Sequence, residues 1–363
     1  MTVIMIYYKK IHVLYIGGTI GMQKNHIGAY TPIPNAFLDK IKDSEMHDAK
    51  LGEQLCLNDN ELILSVNFSD TNIVYTIEEY DPLLDSSNMS VNEWARIAKD
   101  IERKYYDFDG FVILHGTDTL AFTASILSYM LDNLQKPVII TGSQIPIFET
   151  RNDAKGNFLS SLILAGCYDI PEVCVFFSNK LLRGNRTTKI CSNMLDAFGS
   201  PNYHNLADAS VNVNLYQHYI RKQTNGNFRV NANLNKHVGT VIIFPTITSF
   251  QLESFLMPPT KGLILQSYGA GNIPSKNQTG LLKVLKNAIN KEVLIVNVTQ
   301  CFKGAVNAAY ETGMELHKIG VIPGHDMTWE AAFTKMIWVL GQPGDYNTKV
   351  EMMKSNLRGE VTI

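Results

Sequence analysis

Two threonine-bearing turns offer this chain its chemistry. One is Gly17-Gly18-Thr19-Ile20-Gly21 and the other is His115-Gly116-Thr117-Asp118-Thr119. A threonine hydroxyl is a weak nucleophile until a base takes its proton. Asp118 stands beside Thr117, and the polar segment Arg183-Gly184-Asn185-Arg186-Thr187-Thr188-Lys189 contains an amine, Lys189. A hydroxyl, an amine and a carboxylate in line form a nucleophile–base–orienter triad in the general sense. The polar cluster Asp85-Ser86-Ser87-Asn88 could hold a ligand's ammonium or carboxylate. Each feature also has a plainer reading: a tight turn after a strand, a solvated charged loop, a run of turn-forming serines.

Other chemistries find no support. The nine histidines form no H-E-x-x-H pattern, so metal hydrolysis is disfavoured and no metal is expected. His115 reads as a hydrogen-bonded structural histidine rather than a ligand. There is no G-x-S-x-G elbow, no G-x-G-x-x-G fingerprint and no phosphate loop, and no cofactor is expected. A formal net charge of −2 argues against a nucleic-acid partner. The five cysteines are odd in number, widely spaced and without C-x-x-C, which fits a reducing compartment rather than a disulfide framework. Val3-Ile4-Met5-Ile6 is too short for a signal segment and no apolar run reaches membrane-spanning length, so the expectation is a cytoplasmic chain without a membrane partner.

The elements that would position these residues follow from apolar runs. Ile11–Ile16, Phe111–Leu114, Val138–Ile140 and Val173–Phe177 are continuous apolar strands, each ending in small or polar residues. Such strands alternating with helices indicate a mostly parallel sheet covered on both faces, and ligands bind at its strand-to-helix junctions. Ser90-x-x-Glu93 is a capping box, followed by Val91, Trp94, Ala98, Ile101 and Tyr105 on one helix face. Leu120–Leu131 is apolar on several faces, the mark of a buried helix. Residues 21–36, with Tyr30 as their aromatic, form a loop long enough to be a lid. Residues 37–76 mix a short helix with strand-like runs.

The predicted fold is α/β with two domains: a larger N-terminal mixed, mostly parallel sheet flanked by helices, and a smaller C-terminal α/β domain with a parallel sheet. The boundaries expected are 1–205 for the first and 239–363 for the second, with a Gly-, Asn- and Gln-containing linker or hairpin at 206–238. In the second domain Thr240–Pro245, Gly262–Gly269 and Val293–Val298 read as buried-strand patterns, and His325-Asp326-Met327-Thr328 precedes a final helix that stops near Gly341.

Tyr15–Met22 and Leu114–Thr119 together resemble the two signatures of the bacterial-type L-asparaginases. Asp85–Met89, Thr141–Pro146, Arg183–Lys189, Val298–Cys301 and Asn356–Glu360 resemble the cytoplasmic, type I branch, and the resemblance covers nearly the whole chain. It implies hydrolysis of L-asparagine to L-aspartate and ammonia through an acyl-enzyme. Thr19 would be the nucleophile, with Tyr30 beside it on the lid, and Thr117, Asp118 and Lys189 would activate water. The family divides these steps between its two threonines in more than one proposed way. Asp85, Ser86, Ser87, Thr117, Asp118 and Ser143 would hold the substrate, and backbone N–H groups at 116–119 the oxyanion. The resemblance further implies a homo-oligomer, dimer or tetramer, in which Asn272 helps complete a neighbour's site. The lid is about one residue longer than in close relatives. Thr188 and Cys301 resemble parts of a second, regulatory asparagine site, but Gln266 stands where an arginine is expected, and a glutamine lacks the fork that grips a carboxylate. The competing readings are an amidohydrolase subunit of a tRNA-dependent amidotransferase and a non-catalytic amino-acid sensor.

Overall fold

The computed structural model describes residues 7–66, 71–274, 280–307 and 311–363. The apolar start at Val3–Ile6 lies outside them. The chain divides into two compact units: residues up to Gly199 with His204–Val230, and Ser200–Tyr203 with Asn231–Ile363.

The first unit begins with β1 (Tyr7–Gly17) and a small hairpin of β2 (Met22–Lys24) and β3 (Tyr30–Pro32). Helices α1 (Ala36–Lys42) and α2 (Ala49–Gln54) lead to β4 (Glu61–Leu64) and the long β5 (Thr71–Leu84). Then come α3 (Val91–Lys104), β6 (Gly110–Leu114), α4 (Leu120–Met130), β7 (Leu131–Asp132), β8 (Val138–Thr141) and α5 (Ala154–Cys167). The unit closes with β9 (Val173–Phe177), β10 (Lys180–Arg183), β11 (Thr188–Lys189), β12 (Phe198–Gly199), β13 (Ala207–Ala209), β14 (Val213–Leu215) and β15 (Arg229–Val230).

Nine strands form one sheet in the order β14-β13-β10-β9-β8-β6-β1-β5-β4. The central β5, β1, β6, β8 and β9 are parallel, and the edge pairs are antiparallel. Strands β6, β8 and β9 are buried throughout, which is why they read as unbroken apolar runs. The chain leaves β1 toward β5 on one side and later builds β6, β8 and β9 on the other. That reversal at β1 creates the crevice where open α/β sheets bind ligands, at the carboxyl ends of the strands.

Local signals hold where they were strong. The Ser90–Glu93 capping box forms at the start of α3, and α4 is buried nearly all round. The segment 206–238, expected as a linker or hairpin, contains paired strands. Its β13–β14 hairpin extends the large sheet, and β15 pairs with β7, so the passage between units falls after Val230.

The second unit is a parallel sheet of β16 (Val238–Ile242), β17 (Gly262–Ser267), β18 (Leu294–Thr299) and β19 (Ile322–Pro323), in that order. Its helices are α6 (Ser249–Phe255), α7 (Gly280–Ile289), α8 (Glu311–Lys318), α9 (Trp329–Gly341) and α10 (Tyr346–Lys354). The α9 stop falls where the sequence places it, but α10 follows, so α9 is not the last helix. The Lys335 ammonium, fully buried, bonds Glu360 Oε1 at 2.6 Å and also donates to the Met353 carbonyl.

Candidate active site

Three of the signature segments leave adjacent parallel strands at the same sheet edge. Gly17-Gly18-Thr19 follows β1, Asp85–Asn88 follows β5, and His115–Thr119 follows β6. Glycine lets these turns touch. Gly17 and Gly18 have φ of 136° and 93°, and a Cβ on Gly18 would stand 2.4 Å from the Gly116 nitrogen. A Cβ on Gly116 would in turn stand 2.4 Å from Ser86 Oγ. No side chain fits at either position without moving backbone.

Thr19 is half-buried at the first residue of a single 3-10 turn, Thr19–Gly21. The next carbonyl, Ile20, accepts the Ile147 N–H at 3.0 Å, which fastens the 143–153 loop to this turn. That loop is internally braced. Ser143 Oγ donates to the Ile145 carbonyl, and Asp153 accepts the N–H groups of Gln144 and Ile145.

Around the second threonine the geometry is close. Lys189 Nζ lies 2.9 Å from Thr117 Oγ1 and 2.8 Å from Asp118 Oδ1. Thr117 is 8% exposed and the Asp118 side chain 65%, so the cluster grades from a buried hydroxyl to an open carboxylate. Lys189 is delivered by the short β11–β12 pair, where it stands opposite the buried Phe198. Asp85 Oδ1 accepts the Ser87 N–H, while Ser86 is buried and its carbonyl accepts Thr119 Oγ1. His115 is fully buried, with Nδ1 2.7 Å from the Gly116 carbonyl, and burial holds its pKa down at about 4. It is a hydrogen-bonded structural group, as its position after an apolar strand suggested.

Tyr30 does not bond Thr19 among the described residues. Its hydroxyl donates to Glu149 Oε1 at 2.7 Å, and Lys24 Nζ bonds the same oxygen at 3.0 Å. Hydrogen bonds from Tyr30 and then Lys24 hold the Glu149 carboxyl below its ordinary range. Glu149 had no local signal in the sequence, because its side-chain partners Tyr30 and Lys24 come from the distant β2–β3 hairpin.

In the second unit, Asn272 and Tyr268 exchange backbone hydrogen bonds of 2.9 Å across the turn after β17. Gln266 Nε2 donates to Thr240 Oγ1, and Cys301 is exposed with its N–H on Thr299 Oγ1. Thr188, in the first unit, is half-buried on β11 opposite Gly199. No cluster of metal-ligating side chains occurs among the described residues, and no described helix is long and apolar enough to cross a membrane.

The family model for the asparaginase N-terminal domain matches residues 10–221, and that for the glutaminase/asparaginase C-terminal domain matches residues 237–353. The chain belongs to the asparaginase family. It is 44% identical to an L-asparaginase of Dirofilaria immitis, over 97% of this chain and 60% of that one. The chain therefore spans about three-fifths of that relative's length. It is 42% identical to L-asparaginase 1 of Escherichia coli K12, over 98% of both chains. The crystal structure of L-asparaginase I from Vibrio cholerae superposes with a TM-score of 0.83 at 39% identity, covering 98% of this chain and 99% of the other.

Proposed function

We propose that this chain hydrolyses the side-chain amide of L-asparagine, giving L-aspartate and ammonia. The observation that carries the reading is the Lys189–Thr117–Asp118 cluster beside the Thr19 turn. The relatives' names supply the substrate.

The Thr19 hydroxyl attacks the amide carbon and the amide nitrogen leaves as ammonia, so Thr19 becomes an ester of the aspartyl group. Its proton passes by way of Tyr30, under the closed lid, to the departing amide nitrogen and completes the ammonia. The Thr117 hydroxyl then passes its hydrogen to the Lys189 amine held by Asp118 as Thr117 Oγ1 takes a proton from water. Hydroxide adds to the ester, the C–Oγ bond breaks, Thr19 Oγ recovers a proton relayed back through Thr117, and aspartate is released. Asp85, Ser86, Ser87, Asp118 and Ser143 hold the substrate's α-amino and α-carboxylate groups. Backbone N–H groups of the 116–119 turn stabilise the oxyanion. A homo-oligomer, dimer or tetramer, with Asn272 completing a neighbouring site, is part of the same proposal, as is a cytoplasmic setting consistent with five cysteines that form no disulfide.

The test is ammonia release from L-asparagine by the purified chain, without added metal or nucleotide, with L-glutamine in parallel. Thr19→Ala and Thr117→Ala should each nearly abolish turnover. Full activity in either variant removes that residue from the mechanism, and asparagine binding without ammonia release favours the sensor.

A further inference from the structure

A buried hydrogen-bond chain runs behind the 116–119 turn. Trp94 Nε1 on α3 lies 3.0 Å from Thr123 Oγ1 on α4, and Thr123 Oγ1 lies 2.8 Å from His115 Nε2. His115 Nδ1 lies 2.7 Å from the Gly116 carbonyl. Trp94 is 6% exposed; Thr123 and His115 are sealed from solvent.

The chemistry of the end groups fixes every proton. An indole N–H only donates, so Thr123 Oγ1 accepts from it. A carbonyl oxygen only accepts, so His115 Nδ1 carries the ring hydrogen. A neutral imidazole has one N–H, so Nε2 is bare and accepts the Thr123 hydroxyl hydrogen. The imidazole is confined to one tautomer and one orientation. The backbone around it is fixed as well: the His115 N–H donates to the Thr141 carbonyl at 2.8 Å.

Pinning the Gly116 carbonyl has a consequence one atom further on. A trans peptide is planar, with its C=O and N–H pointing in opposite directions. Holding the Gly116 oxygen toward His115 therefore turns the Thr117 N–H the other way. No protein acceptor for that N–H occurs among the described residues.

We propose that Trp94, Thr123 and His115 are positioning residues for the reaction: together they lock the Gly116–Thr117 peptide so that the Thr117 N–H stands ready to donate to the oxyanion. None of the three touches substrate. The proposal rests on the reading of this site as an amide-hydrolysing one.

The decisive experiment compares Thr123→Val with Thr123→Ser in the full chain. Valine keeps the shape and deletes the hydroxyl; serine restores it. Expected is a drop in kcat of roughly tenfold for the valine variant, with KM within about twofold of wild type, since a small misplacement of a catalytic group costs rate. The serine variant should recover wild-type kcat. A role in stability alone would lower the melting temperature but leave kcat per folded molecule unchanged, and that result overturns the proposal. Nitrogen-15 NMR of the unmutated, histidine-labelled protein tests it without any variant: His115 should appear as the Nδ1–H tautomer, and an Nε2–H tautomer overturns it. If the unmutated protein releases no ammonia from asparagine, the functional reading fails instead, and the tautomer measurement still reports on the relay.

Discussion

Gly18 and Gly116 meet backbone to backbone, so closely that a Cβ on the first would stand 2.4 Å from the nitrogen of the second. This contact unites two turns that the sequence presents as separate signatures. Gly18→Ala adds that Cβ at a residue with φ of 93°, so both space and backbone conformation resist it. The expected cost is about 2 kcal/mol or more of stability, with loss of turnover in the molecules that fold. Denaturant unfolding and an ammonia assay check both, and a stable, fully active variant would show that the turns tolerate separation.

Lys189→Met removes the amine that bridges Thr117 and Asp118 while keeping the stem of the side chain. The expected fall in kcat is about 10²–10⁴-fold, the usual worth of a positioned proton-transfer group. Because the proposed role of Lys189 is in deacylation, quenched-flow mass spectrometry of the variant should catch a substrate-derived ester on Thr19. An ester on Thr117 would reverse the assignment of the two threonines.

Glu149 ties Tyr30 and Lys24 to the loop that braces the Thr19 turn. Glu149→Ala should release the β2–β3 hairpin, seen as faster hydrogen exchange over residues 22–32 and a raised KM. Glu149→Gln, which can still accept the tyrosine proton, should fall between. Unchanged exchange in the alanine variant would deny Glu149 any hold on the lid.

Acid should weaken the first unit through its buried histidines. Burial holds His115 at about 4, and His12 is likewise lowered to about 4 by burial, against an ordinary value of 6.5. The unfolded chain therefore binds protons below pH 6.5 that the folded chain refuses until about pH 4. Stability falls as pH drops through that window and levels off below it. For fully buried His115 the loss amounts to about 3 kcal/mol. Denaturant melts at pH 7 and pH 4.5 measure it, and His115→Gln should flatten the slope.

The buried Lys335–Glu360 pair makes the last turn of the chain structural. Glu360→Gln leaves an ammonium without its counter-charge in a sealed site, and should cost roughly 3–5 kcal/mol. Replacing both partners with apolar residues should cost less than the single change. Equal losses would mean that the charge itself is not what the site resists.

The parts legible in the sequence were those with a local physical signature. Phe111–Leu114 and Val173–Phe177 are buried on both faces and read as apolar runs. The long β5 was obscured because Glu78, Glu79, Asp81 and Pro82 interrupt it, and beyond the buried Ile73–Tyr75 it runs, apart from Tyr80, through half-buried and exposed positions. For the β13–β14 hairpin the polar stretch at 206–238 marked only a linker or hairpin and not its strands, since short edge strands need little apolar surface. The two threonine turns and Lys189 were visible as residue types. Their meeting came from the resemblance and not from spacing, because Lys189 is placed by pairing with Phe198, and Tyr30 is captured by a glutamate that nothing nearby announces.

The pairing of β1 with β5 and β6 also sets when the machinery can exist. Thr117 and Lys189 are 72 residues apart in the chain, and Tyr30 and Glu149 are 119 apart. Contacts of such long sequence separation form slowly, because loop-closure entropy is lost before any of them stabilises the fold. On an elongating ribosome, the Thr19 turn emerges long before its partners are synthesised. The proposed active centre is thus a late product of folding, and the nascent chain carries Thr19 through synthesis without the groups that would make it reactive.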